Sequence, residues 1–142
     1  MSNELQQALK LLYTKKPLEH ADVINAYRLV KVATFDHEPM WAYAKIPDTW
    51  INYRLQTLPD FLLEDPITHT TWFPVFTDKQ DDIEGDWKCV PADLLQVFVY
   101  VSACGNLNGV VIDPYTYPMR IPMDNIKRMV DFFFPASKHF SH

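Results

Sequence analysis

The stretch GVVIDPYTYPMRIP, residues 109–122, decides the fold. Gly109 opens a run of three β-branched residues, Val110, Val111 and Ile112, a short unbroken apolar run of the kind that fills a fully buried strand. Asp113-Pro114 halts it, because proline fixes φ and an aspartate ahead of it can bond backbone amides through its side chain. Past Tyr115 and Thr116 the pattern predicts a second short strand at 119–121. Asp113 is therefore read first as a turn-maker. The alternative reading places it at the carboxyl end of a strand, where open α/β folds often display working residues. A lone carboxylate needs a second acid, a base or a metal to do chemistry, and no His, Cys or Glu lies close to it in sequence.

Working outward, Ile126, Met129, Val130 and Phe133 keep helical spacing and predict a last helix that Pro135 closes. Upstream, VPADLLQVFVYVSAC (90–104) is rich enough in valine to suit a strand. Pro91 near its start, Asp93 in a first turn and its length favour a helix. At the other end of the chain, Leu5, Ala8, Leu9 and Leu12 predict a first helix, with Asn3 as its cap and Gln6 three residues on. Pro17 ends it and opens a second, with Val23, Ala26, Tyr27 and Val30 as its stripe and Glu19 and Asp22 near its positive end. MWAYAKI (40–46) alternates with a period of two, and TTWFPVFTD (70–78) reads as another strand in which Pro74 belongs at an edge or a bulge. Residues 48–70 read as either a hairpin extension or an excursion with a helical turn. Strands and helices mix without strict alternation, which predicts an α+β fold, an α/β sandwich with a mixed β-sheet packed by helices. The 142 residues suit a single domain, 1–142, with residues 135–142 as a frayed tail.

Composition narrows the function classes. Three glycines stand against eleven prolines. Phosphate-cradling loops need glycine for close backbone approach, and neither G-x-G-x-x-G nor G-x-x-x-x-G-K occurs, so no nucleotide cofactor is expected. The net charge is −5. The densest basic pairs, Lys15-Lys16 and Lys127-Arg128, are read as solvated helix ends, so nucleic acid is not an expected partner. The longest apolar run, 94–104, contains Gln96 and is too short to span a bilayer, so no membrane is expected either. Cys89 and Cys104 lack C-x-x-C spacing and no secretory signal is read ahead of the first helix, which makes the expected location cytoplasmic and reducing.

The histidines His20, His37, His69, His139 and His142 form no metal-ligating pair in ordered sequence, so no metal site is expected. Cys104 should sit at a helix C-terminus, the wrong end to lower a thiol pKa; Cys89, near a helix start, is the better candidate of the two, but both are read first as buried structural thiols, so no catalytic residue is expected. The acidic run Asp78, Asp81, Asp82, Glu84, Asp86 fails the calcium-loop register, because counting back from Gly85 puts Gln80 first and Pro91 twelfth. It reads instead as a solvated loop or a docking surface for a basic partner. Of the aromatics, Trp50, Trp87, Tyr115 and Tyr117 fall in predicted loops, where exposed rings beside acids would suit a protein interface.

The phrases FPVFTD (73–78) and GVVIDPYTYPMRIPMDNIKRMV (109–130) resemble the SseB family, the enhanced-serine-sensitivity proteins. The N-terminal domain of that family is similar in plan: a strand ending in a Pro-Val-Phe-Thr-like phrase, an acidic stretch, a helix, a Gly-Val-Val-Ile-Asn-Pro-like strand and a closing helix. The resemblance covers about 20–134, with INAYRLVKVA (24–33) in place of the early helix. It implies an α/β sandwich with a mixed sheet, and it implies no agreed catalytic residues. Asp113 stands where the family usually has asparagine, which supports a backbone-bonding role. Residues 48–70 are extra to the plan, and functions residing in the second domain of longer members are not carried over.

Together these readings predict a non-enzymatic, SseB-like cytoplasmic domain that binds or regulates another protein. Its expected contacts are Asp81, Asp82, Glu84, Asp86, Trp87, Tyr115 and Tyr117. One alternative is a small hydrolase or transferase pairing Asp113 with His37 or His69. A second is a homo-oligomer associating through Phe132 to Phe134 or an open sheet edge.

Overall fold

The structure, a computed structural model, describes residues 2–45, 61–83 and 87–134. In chain order the elements are α1 (Ser2–Thr14), α2 (His20–Phe35), β1 (Pro39–Lys45), β2 (Leu63–Asp65), β3 (Thr70–Val75), β4 (Trp87–Asp93), α3 (Leu94–Ala103), β5 (Gly109–Ile112), β6 (Met119–Pro122) and α4 (Met123–Phe133). This is the expected α+β class. The expected tail, 135–142, and residues 48–60 of the 48–70 stretch lie outside the described residues, whereas β2 and β3 form a hairpin across Pro66 to His69.

Two ladders make the β layer. Four strands order as β2-β3-β5-β6, with β3 and β5 parallel and the flanking pairs antiparallel; β1 and β4 form a separate antiparallel pair. A bridge from Trp41 to Phe76, with both N–H···O bonds made (2.9 and 2.8 Å), ties β1 to the end of β3. This arrangement also explains Pro74. The carbonyls of Thr71 and Val75 accept from the β5 side, whereas Phe76 bonds β1. Strand groups alternate in direction, so the nitrogen of Pro74 faces the side where β2 pairing has stopped at Trp72 and the β1 bridge has not begun. No ladder donor is missing there.

Alternation along the strands separates two faces. Met40, Ala42, Phe73, Val75, Val110, Ile112, Met119 and Ile121 enter one core with the helices. Trp41, Tyr43, Phe76 and Cys89 belong to a second, aromatic cluster on the opposite face, joined by Phe61 and Trp87. Leu5, Ala8 and Leu9 of α1 are buried in the main core, so the packed unit extends N-terminal to the 20–134 span that the resemblance covers.

Two expectations are corrected here. Pro91 does not begin a helix: β4 runs through it, pairing Pro91 with Trp41, and the helix starts three residues later. Asp93 decides the boundary, because its side chain accepts the Leu95 N–H at 3.0 Å as an N-cap. The valine-rich run after it is helical because Leu94, Leu95, Val97, Phe98 and Val101 are all buried, as expected of a helix apolar on most sides. Likewise α1 starts at Ser2, one residue ahead of the expected cap at Asn3.

Glycine is scarce, and left-handed backbone falls on other residues: His37, His69 and Asp113 have φ of 52°, 57° and 51°. His37 holds the position after the α2 C-cap that glycine usually takes. Its N–H donates to Thr34 O and the Glu38 N–H to Ala33 O, the paired bonds that close a helix end. Gly109 is kept where no side chain fits. Its φ is +152°, and an added Cβ would collide with Ile121 O and lie 2.8 Å from the Trp72 ring. That ring is capped by the Arg120 guanidinium, 4.9 Å from its centroid, and Arg120 pairs with Asp65 at 2.7 Å.

Gly109→Ala should lower the urea unfolding free energy by about 3 kcal/mol, the combined scale of backbone strain and overpacking. The Arg120 hydrogen bond, supported by the Ile67 N–H, holds the Asp65 carboxyl down at about 2. A carboxyl held below its unfolded value near 4 stabilises the fold above that pH, and the contribution fades as pH falls towards 2. In acid titrations followed by circular dichroism, Asp65→Asn should therefore flatten the loss of stability between about pH 4 and 2.

Candidate functional site

The parallel strands β3 and β5 end side by side, and the chain beyond each is polar: Thr77 and Asp78 after β3, Asp113 after β5. Backbone bonds carry the pairing one step past the ladder, from the Asp113 N–H to Val75 O at 2.9 Å. The Asp113 side chain then closes onto Thr77. Its Oδ1 accepts the Thr77 N–H at 2.8 Å and its Oδ2 accepts the Thr77 hydroxyl at 2.7 Å. Thr77 Oγ1 in turn accepts from Gln6 Nε2 at 2.9 Å, and the same amide reaches Asp78 Oδ2 at 2.5 Å. A relay Gln6→Thr77→Asp113 thus docks α1 on the strand ends.

Asp113 is 9% exposed. Burial pushes its carboxyl above the usual range, against the lowering effect of the two Thr77 bonds; the neighbouring Asp78 charge raises it further. The turn reading holds, with one change of partner. The local turn is closed by the Thr116 N–H on the Asp113 carbonyl (3.2 Å), while the carboxylate bonds the other strand.

A cleft of about 330 Å³ opens over this relay, lined by Gln6, Lys10, Thr77, Asp78, Asp113 and Tyr117 among others. The three α1 residues Gln6, Gln7 and Lys10 in its wall were invisible to sequence reading, because they meet Asp113 only across more than a hundred residues of chain. Neither histidine of the hydrolase reading pairs with Asp113 among the described residues. His37 Nδ1 lies 2.9 Å from Asp93 Oδ2, at the junction of α2 and α3. His69 sits in the β2–β3 turn, its N–H on Asp65 O. Cys89 is not near a helix start as expected. It lies within β4, buried, with its Sγ accepting the Gln80 N–H at 3.2 Å, and burial pushes its thiol up. Cys104 is the C-cap of α3, as expected. Among the described residues no group of three His, Cys, Asp or Glu is placed to hold a metal, and no helix is long and apolar enough to cross a membrane.

Most of the expected contact residues gather elsewhere, on the aromatic face around Tyr43. The Tyr43 hydroxyl donates to Asp81 O at 2.6 Å, and its ring meets Phe61 and Phe76 at 4.8 and 5.5 Å between centroids. Phe76 carries Tyr115 at 5.7 Å, and Phe61 carries Trp87 at 5.1 Å. Burial, reinforced by the charges of nearby acidic groups, pushes the Tyr43 phenol up. Asp82 accepts the Cys89 N–H at 3.0 Å, which together with Lys88 holds its carboxyl down. Lys79 lies over the Trp41 ring at 5.8 Å. Tyr115 is 60% exposed, and Asp81 and Asp82 are exposed beside this cluster. Tyr117 is separate: half-buried, it packs on the main core and meets Tyr13 at 5.9 Å. Glu84, Asp86 and Trp50 lie outside the described residues.

Asp113→Ala strands the Thr77 N–H and should cost about 3 kcal/mol, whereas Asp113→Asn, which keeps one acceptor, should cost about 1 kcal/mol. A buried acid with a raised pKa is most favourable when protonated, so its contribution falls as pH rises from about 4 through the folded value. The stability difference between the wild type and Asp113→Asn, read from urea midpoints at each pH, should shrink over that rise. Compared with family models, with curated proteins and with solved structures, the chain gives no match.

Proposed function

We propose that this chain is a non-enzymatic, SseB-like domain of the cytoplasm that binds or regulates another protein, and that a basic partner docks on the aromatic face. The observation that carries this reading is the exposed Tyr115 ring seated on Phe76, with Asp81 and Asp82 exposed on the same face. Residues from four separate stretches converge there through Tyr43, which gives the face a fixed shape. Exposed tyrosines held by a rigid scaffold are frequent interface anchors, since they bring large contact area for little side-chain entropy. The acids steer a basic partner towards the face and speed encounter. Kinship with the SseB family is proposed on the phrases at 73–78 and 109–130, and it adds no substrate or catalytic residue.

The test begins with capture from cytoplasm by the tagged chain at low and high salt, and continues with the purified pair. Tyr115→Ala should weaken the Kd by about thirtyfold, the scale of an interface hot spot. Asp81→Asn should slow association and flatten its salt dependence while leaving dissociation nearly unchanged. A captured protein that Tyr115→Ala retains with unchanged affinity would sink this reading.

A further inference from the structure

A second surface lies in the helix layer, on the other side of the sheet. Tyr27 and Phe35 of α2 and Met129, Phe132 and Phe133 of α4 border a cavity of about 450 Å³. Phe35 closes one end, its ring 5.5 Å from Phe132 and 4.7 Å from Phe133 between centroids. Met129 is buried in the core behind it, whereas Phe35 and Phe132 are 55% and 66% exposed. Apolar rings held open between two helices on this scale describe a ligand pocket better than incidental surface.

The polar groups give the pocket a direction. Lys31 precedes Phe35 by four residues on α2, and Arg128 precedes Phe132 by four on α4, so each helix presents a cation and a phenyl ring on one face, one turn apart. The helices also run the same way. Both Phe35 and Phe132 stand at C-terminal ends and touch; the α4 start is tied to Asn108, just beyond the far end of α3, while His37 and Asp93 join the end of α2 to the start of α3. Both cations therefore lie on the same side of the aromatic end, and both line the cavity with Asn125. No carboxylate is among its described lining residues. A cavity in which two cations stand one turn from three phenyl rings, with Tyr27 and Asn125 beyond them, is complementary to an anion with an apolar body.

We infer that the pocket between α2 and α4 binds an amphipathic carboxylate, a small organic acid whose apolar body enters among Phe35, Phe132 and Phe133 and whose carboxylate is met by Lys31 and Arg128. Arg128 can hold a carboxylate through two parallel N–H donors, and Lys31 adds a mobile point charge. The apolar end supplies the bulk of the affinity, and the cations discriminate the anion from its neutral analogue.

The test uses the full chain with sodium decanoate and with 1-decanol, by isothermal titration and by amide chemical shifts. Decanoate should bind at least about tenfold more tightly than the alcohol, and Lys31→Gln or Arg128→Gln should each remove about tenfold of decanoate affinity, the worth of one charge-assisted hydrogen bond. Neither variant should change decanol binding. Phe132→Ala, at an exposed position, should weaken both ligands while leaving the fold intact, and the shift changes should fall within 27–35 and 125–133. Equal affinity for acid and alcohol, or shift changes confined to other elements, would overturn the inference. So would sedimentation as a dimer that Phe132→Ala dissociates, since the occupant would then be a second copy of the chain.

Discussion

The closure of Asp113 onto Thr77 is the contact on which the rest of this structure depends. Two parallel strands that end together leave backbone donors facing one another with no ladder to satisfy them, and a buried unpaired N–H is costly. One carboxylate takes the Thr77 N–H and its hydroxyl, while the Asp113 N–H bonds Val75. Through the Thr77 hydroxyl the same contact reaches Gln6 and seats α1 on the core. The left-handed backbone of Asp113 lets one residue end a strand, start a turn and aim its side chain at the neighbouring strand. An asparagine or aspartate adopts that conformation more readily than other side-chain-bearing residues.

The opposite end of the parallel pair is governed by steric exclusion. Gly109 pairs with Trp72 and with Pro122, and the space where a Cβ would stand is filled by the Trp72 ring and the Ile121 carbonyl. Just before it, Asn108 acts as a clamp: its N–H donates to Thr71 O, its side-chain oxygen accepts the Thr71 N–H at 2.9 Å, and its carbonyl accepts the Met123 N–H that opens α4. The short central strand thus has both ends fixed, by a polar side chain at 108 and another at 113. Four residues of strand suffice because the ends are held.

The fold then distributes its exposed aromatic surface unevenly. Rings on the outer face of the sheet are organised around Tyr43 and bordered by Asp81 and Asp82, with Lys79 over Trp41 and Lys88 beside Asp82, whereas rings in the helix layer are bordered by Lys31 and Arg128. The outer face therefore carries charges of both signs, whereas the charged residues lining the helix-layer cavity, Lys31 and Arg128, are both cations.

Local pattern determined most of the elements. Period-two alternation at 40–46 set the two faces of β1, and helical spacing in 5–12, 23–30 and 126–133 set the buried stripes, because side-chain direction follows directly from backbone period. The strand–turn–strand reading of 109–122 and the turn role of Asp113 were legible for the same reason: proline and β-branched residues act on their own neighbours. What the tertiary structure decided is what depends on distant partners. Pro91 lies in a strand because β1 covers it, and Pro74 is tolerated because its nitrogen falls in the gap between β2 and the β1 bridge. Cys89 is buried because its strand is the one that covers Tyr43. Composition and loop position single out Asp81, Asp82, Trp87 and Tyr115, yet only folding puts them on one face and sends Tyr117 to another. The two cation–phenylalanine pairs lie about a hundred residues apart in the chain, each reading alone as an ordinary helix surface. Their shared pocket exists only once α3 has set α2 and α4 side by side, because sequence spacing specifies the face of a helix and not the helix that faces it.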